Sequence, residues 1–202
     1  RSQNEKRWQP PSEAYKKELI GKSNRTKQDK LTPYIEEHDL LRLLDDLESR
    51  DSSLFLAVGL ISIFGLRLSE LAVLKVRDSK LYVGNIKNNI NTKVKKEDRR
   101  VFAMDLFARK NLGNKLIEQF ESKKITLPMP VLNQIEMVKD KNKYGDVGQA
   151  LRQLIERNKV WREIIKTNPE ITPYSLRHRY AHQCHKGSTI PISVKDAAAA
   201  MG

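Results

Sequence analysis

The chain has 202 residues, 39% of them apolar, which is enough for one sizeable core with a tail or linker. No apolar run approaches the roughly 20 residues of a membrane-spanning helix. A single cysteine, Cys184, excludes an internal disulfide, so a soluble protein of a reducing cytoplasm is expected, with no membrane partner. The formal charge of +13 makes a polyanion the expected partner, nucleic acid foremost.

Residues 1 to 30 are polar and read as a linker or arm, with one short helix around residues 12 to 20. Compact structure is expected from Leu31-Thr32-Pro33 onward, where Ile35, Leu40, Leu41, Leu43, Leu44 and Leu47 recur at helical spacing. The run Ser52 to Phe64 is apolar nearly all round and too short for a bilayer, which predicts a buried core helix ended by Gly65 as a left-handed cap. Leu81-Tyr82-Val83 and Val101-Phe102-Ala103-Met104 are β-favouring runs, separated by a long charged turn. They predict two or three strands of a small antiparallel sheet. Helical faces return with Leu112, Leu116, Ile117 and Phe120, and again with Val147, Leu151, Leu154, Ile155 and Val160. Leu127-Pro128-Met129-Pro130 and residues 139 to 145 read as loops. The fold class expected is mainly α with a small antiparallel β-sheet.

The most informative segment runs from Thr172 to Gly187. Thr172 suits an N-cap, Pro173 the first helical position and Gly187 a C-terminal cap, so one helix of about four turns is expected. Leu176, Tyr180 and Cys184 make its core stripe. Tyr174 and Arg177, three apart, share a face near the helix N-terminus, where free N–H groups and the dipole favour an anion. A phosphate gripped there by the planar fork of Arg177 is chemically reasonable.

The run Tyr174-Ser175-Leu176-Arg177-His178-Arg179-Tyr180-Ala181 resembles the second box of the tyrosine recombinases (the phage integrase family), His-x-Leu-Arg-His followed by an aromatic and an alanine. Gly65-Leu66-Arg67-Leu68-Ser69-Glu70-Leu71 is similar to their first box, and Ile192 to Gly202 to the family helix ending in Leu-Gly, with Met201 for the leucine. The three boxes stand in the family's order with a basic hairpin between the first two, and the match spans Leu31 to Gly202.

The resemblance implies a recombinase catalytic-domain fold and metal-independent transesterification at a DNA phosphodiester, with no cofactor. Arg67 and Arg177 would clamp the scissile phosphate as charge builds in the transition state, with Tyr174 beside them. A hairpin lysine, Lys93 or Lys95, would protonate the leaving oxygen; Lys87 is a further candidate. Glu70 and His178 would support the site. Lys87, Lys96, Arg99, Arg100 and Arg179 would contact DNA. The resemblance also implies duplex DNA as partner, a homotetramer on paired sites and an N-terminal DNA-clamping domain before residues 1 to 30. The nucleophilic tyrosine would lie beyond Gly202, so that this stretch would bind DNA without cleaving it.

Two features depart from the family or admit another reading. Tyr174 stands where the family has His; a phenol donates a hydrogen bond to phosphate but is a poor acid or base at neutral pH. Tyr174 could equally be a packing residue, Arg67 a partner of Glu70 alone, and Arg177 a solvated arginine. His178, His182, Cys184 and His185 could suggest zinc, but no distant ligand completes a site. The alternatives to a recombinase are a type IB topoisomerase-like enzyme, a catalytically silent DNA-binding relative and a general RNA-binding protein.

Overall fold

A computed structural model describes residues 33–86, 97–141, 144–184 and 201. These belong to one compact unit, spanning Thr32–Gly202. They form seven α-helices, a 3-10 helix and a three-stranded antiparallel sheet of order β1-β2-β3. The chain is therefore mainly helical with a small sheet, as its periodicities suggest.

Helix α1 (Glu37–Arg50) buries Leu40, Leu43, Leu44 and Leu47 on one stripe, with Glu37 and Asp39 in its first turn, where the dipole favours acids. It stops at Asp51, whose carboxylate accepts the Leu54 N–H at 2.9 Å and so starts α2 (Ser52–Phe64). Every residue of α2 from Leu54 to Phe64 is buried, because α1, α3 and α7 pack around it. Its one buried hydroxyl, Ser62, donates to the Val58 carbonyl at 2.9 Å.

Gly65 ends α2 at φ 64° and ψ 33°. Two constraints meet there. The left-handed backbone disfavours any Cβ, and a Cβ would lie 2.5 Å from the Tyr180 ring. The chain then passes through Arg67 into the 3-10 helix Leu68–Val73 and directly into the sheet: β1 (Leu74–Arg77), β2 (Lys80–Val83) and β3 (Arg99–Arg100). The β1–β2 turn is Asp78-Ser79, both at positive φ (49° and 53°), the backbone of a two-residue hairpin turn. Leu81 and Val83 face the core, while Lys75, Arg77, Lys80 and Arg100 are exposed.

Helices α3 (Leu112–Ser122), α4 (Met129–Lys141), α5 (Gly145–Arg157) and α6 (Lys159–Thr167) complete the shell. The loop from Ala103 to Asn111 is tied down by Asp105, whose carboxylate accepts the N–H groups of Asn111 and Gly113, both at 2.8 Å. Helix α5 packs on α4 and on the 3-10 helix, and α6 on α1 and α5. Asn158 separates α5 from α6 by accepting the Trp161 N–H at 2.9 Å, and Trp161 itself is fully buried. Helix α7 (Ser175–His182) returns to the centre against α2.

Several sequence expectations need correction. Leu127 to Pro130 is not all loop, since α4 begins at Met129; Pro130 falls in the first turn, where a missing N–H costs little. Residues 139 to 141 belong to the end of that helix, not to a loop. The strand expected at Val101 to Met104 lies earlier, at Arg99–Arg100. Beyond it the Val101 N–H still reaches the Leu81 carbonyl (3.0 Å), but the Met104 N–H turns away to Ile63 (2.8 Å). The face Val147 to Val160 is divided between α5 and α6. Helix α7 begins at Ser175 rather than just after Thr172, because the Ser175 hydroxyl accepts the Thr172 N–H (3.1 Å) and closes a separate turn. The short helix expected near residues 12 to 20 lies outside the described residues.

Substitution Gly65→Ala combines a strained left-handed residue with a clash on Tyr180. It should lower unfolding free energy by about 3 kcal/mol in urea titrations. A loss below about 0.5 kcal/mol would mean that the cap relaxes freely.

Candidate functional site

The site grows from the chain reversal after α2. Because the 3-10 helix starts at Leu68, the Glu70 side chain can turn back on the residue before it. Its carboxylate accepts the Arg67 backbone N–H at 2.7 Å and the Arg67 guanidinium at 3.2 Å. Glu70 is only 3% exposed, so its charge requires close compensation.

Compensation comes from three elements. Arg67 precedes the 3-10 helix. Arg99, on β3, reaches Glu70 at 3.0 Å. Arg177, on α7, stands 3.5 Å from the other carboxylate oxygen, 107 positions along the chain. Arg177 is held mainly by carbonyls: Nη1 donates to Gly65 O and Nη2 to Met201 O, each at 2.8 Å. Thus the left-handed cap and Met201 orient the same guanidinium. Burial draws the Arg177 guanidinium below its ordinary value and the Glu70 carboxylate draws it back up, with Arg67 and Arg99 adding repulsion. A guanidinium retains its proton at neutral pH regardless.

Arg67, Arg99 and Arg177 thus converge on the one carboxylate of Glu70. Arg67 is the most open of the three, its side chain 43% exposed against 20% for Arg99 and 5% for Arg177. Tyr174, directly before α7 and 41% exposed, acts electrostatically on Arg177. Its ring meets His178 edge-on at 4.8 Å. Burial first, and Arg177 second, hold the His178 imidazole below its usual value, so it is neutral at pH 7.

Of the residues singled out in the sequence, Arg67, Glu70 and Arg177 come together, with Tyr174 and His178 at the edge. Arg99, expected as an outlying DNA contact, belongs to the Glu70 cluster; its place on the strand returning from the basic hairpin was the available signal. Arg100 is exposed and lies over the Phe102 ring at 4.6 Å. Arg179 departs from expectation: it is 2% exposed and pairs with Glu37 at 2.8 Å, linking α7 to the start of α1. Turned inward, its guanidinium is poorly placed for a DNA phosphate. Lys87, Lys93, Lys95 and Lys96 lie outside the described residues.

Tyr180 is buried, donates its hydroxyl to Phe102 O at 3.1 Å and has its ionisation pushed well up by burial. It packs the core and offers no nucleophile. Cys184 is buried beside it. His182 stacks on Tyr34 at 3.9 Å, and among the described residues no three of His, Cys, Asp and Glu gather as metal ligands. Nor is any helix among the described residues long and apolar enough to cross a membrane. No protein-family model, curated protein or solved structure matches the chain.

Glu70→Gln should lower stability by about 3 kcal/mol, since it leaves buried guanidinium charge uncompensated; a stability equal to wild type in chemical denaturation would contradict the hub role. For His178 the sign follows from its depressed folded value. The unfolded chain binds the proton more readily, so stability falls as pH drops through the ordinary value of 6.5. In His178→Gln, this part of the stability loss between about pH 7 and pH 5 should vanish when unfolding is measured across that range.

Proposed function

We propose that the chain is the catalytic domain of a DNA strand-exchange enzyme, a site-specific recombinase of the tyrosine recombinase (integrase) type. The observation that carries this reading is the meeting of Arg67 and Arg177, from two sequence boxes far apart, on the one buried carboxylate of Glu70. An ordinary structural ion pair would need one arginine. Here two guanidinium forks are brought together with a third arginine, Arg67 being the most exposed of them, which suits a phosphodiester that gains charge during displacement.

In this reading Arg67 and Arg177 bind the non-bridging oxygens of the scissile phosphate, and Tyr174 adds a hydroxyl donor where the family has an imidazole. Glu70 fixes the two arginines and takes no part in proton transfer. A lysine of the hairpin, Lys93 or Lys95 or else Lys87, protonates the leaving 5′ oxygen. The nucleophile is a tyrosine downstream of Gly202, whose oxygen forms a 3′-phosphotyrosyl bond as the 5′ oxygen departs. Rejoining reverses these steps, so neither metal nor nucleotide is consumed. The duplex is held by the basic hairpin and by Arg100, and four copies act on paired sites.

The test uses a chain extended beyond Gly202, incubated with nicked duplex DNA from its source element. A protein–DNA adduct that survives denaturation, and is absent when the downstream tyrosine becomes Phe, is the expected result. Arg67→Ala should reduce adduct formation by about 10²- to 10³-fold while weakening duplex binding less than about tenfold. Tight duplex binding with no adduct on verified sites would instead identify a catalytically silent DNA-binding relative.

A further inference from the structure

The outer face of the sheet is built differently from the arginine cluster. Alternation along the strands sends Leu81 and Val83 inward and Lys75, Arg77, Lys80, Tyr82 and Arg100 outward. The register sets these residues in rows: Lys75 opposite Tyr82, Tyr82 opposite Arg100, and Arg77 opposite Lys80. Like charges directly opposite destabilise a sheet, so Arg77 beside Lys80 costs folding energy. Arg77 also lies over the Tyr82 ring at 5.4 Å, and Arg100 over Phe102, which is 52% exposed.

Among the described residues, the carboxylate of Asp98 serves this face. Asp98 takes Lys75 Nζ at 2.9 and 3.1 Å and Arg77 Nη2 at 2.5 Å, bridging two cations of the same strand. Asp78 in the turn and Glu97 beside Asp98 are exposed. A phosphate offers the same two-oxygen grip that Asp98 provides, and exposed ion pairs of this kind are weak and readily exchanged.

We propose that this outer sheet face is a second contact surface for the phosphate backbone of duplex DNA, with Asp98 holding Lys75 and Arg77 where they take a phosphate. It rests on the DNA-acting function proposed above, and adds a surface outside the arginine cluster. Tyr82 and Phe102 stiffen the arginines above them, so that less side-chain freedom is lost on binding.

The full chain is titrated with a labelled mixed-sequence duplex across a salt series from about 50 to 300 mM. Lys75→Gln with Arg77→Gln should make the log-affinity against log-salt slope shallower by about 1.8, or 0.9 for each phosphate contact removed. Lys80→Gln with Arg100→Gln, which leaves the Asp98 bridge intact, should shift the slope in the same direction. Asp98→Asn should tighten binding by about threefold, the scale of two exposed ion pairs no longer displaced. Thermal melts establish that each variant is folded.

Wild-type binding with slopes unchanged in both double variants would overturn this surface and leave the recombinase reading standing. Weaker binding by Asp98→Asn would overturn the stand-in role of that carboxylate. Equal or tighter binding to double-stranded RNA at matched salt would overturn the choice of DNA. A wild-type chain that binds no duplex at low salt would overturn both this surface and the function on which it rests.

Discussion

Everything near the candidate site depends on one buried negative charge. A carboxylate sealed from water is costly unless opposite charge and hydrogen bonds meet it. At Glu70, Arg67, Arg99 and Arg177 come to the carboxylate from a turn, a strand and a helix. The arginines repel one another, and the central anion offsets that repulsion. The carboxylate thus fixes the spacing of groups that would not otherwise share the space.

Around that hub, the fold supplies rigidity rather than chemistry. The all-apolar α2 forms a post against which α1, α3 and α7 rest, and its left-handed end presents the Gly65 carbonyl to Arg177. Helix α7 is pinned at both faces. Leu176 and Tyr180 pack inward, and Arg179 joins Glu37 at the head of α1, where Glu37 also accepts the Phe107 N–H at 2.7 Å. The Arg177 guanidinium, held by main-chain carbonyls on a pinned helix, keeps little conformational freedom.

The hub was partly legible in the sequence for a local reason. Arg67 and Glu70 are three apart after a glycine, so the turn alone brings them together. The amphipathic α1 and the uniformly apolar α2 were equally plain, because their periods are short and their buried residues unambiguous. Arg177 and Arg179 show where reading failed. Two residues apart on a helix, they point to nearly opposite sides, so one arginine meets the site while the other meets Glu37; composition alone treats them alike. The carbonyls of Gly65 and Met201 left no trace, since any residue carries such an acceptor. Helix α4 was obscured by its own surface, with Met129 and Met137 exposed and prolines at its start. Asn158 concealed a boundary, because a capping asparagine inside a continuous apolar pattern looks like a solvent-facing residue.

The Met201 carbonyl has a consequence for how the protein matures. It closes on Arg177 from 24 residues further along the chain, while Arg67, Glu70 and Arg99 come much earlier. During synthesis at about 5 to 20 residues per second, the early members emerge well before α7. In that interval Glu70 is answered by Arg67 and Arg99 alone, and the deepest cation is missing. The arginine cluster is thus among the last features to be finished, and a nascent chain carries Arg67 and Glu70 for several seconds before Arg177 can join them.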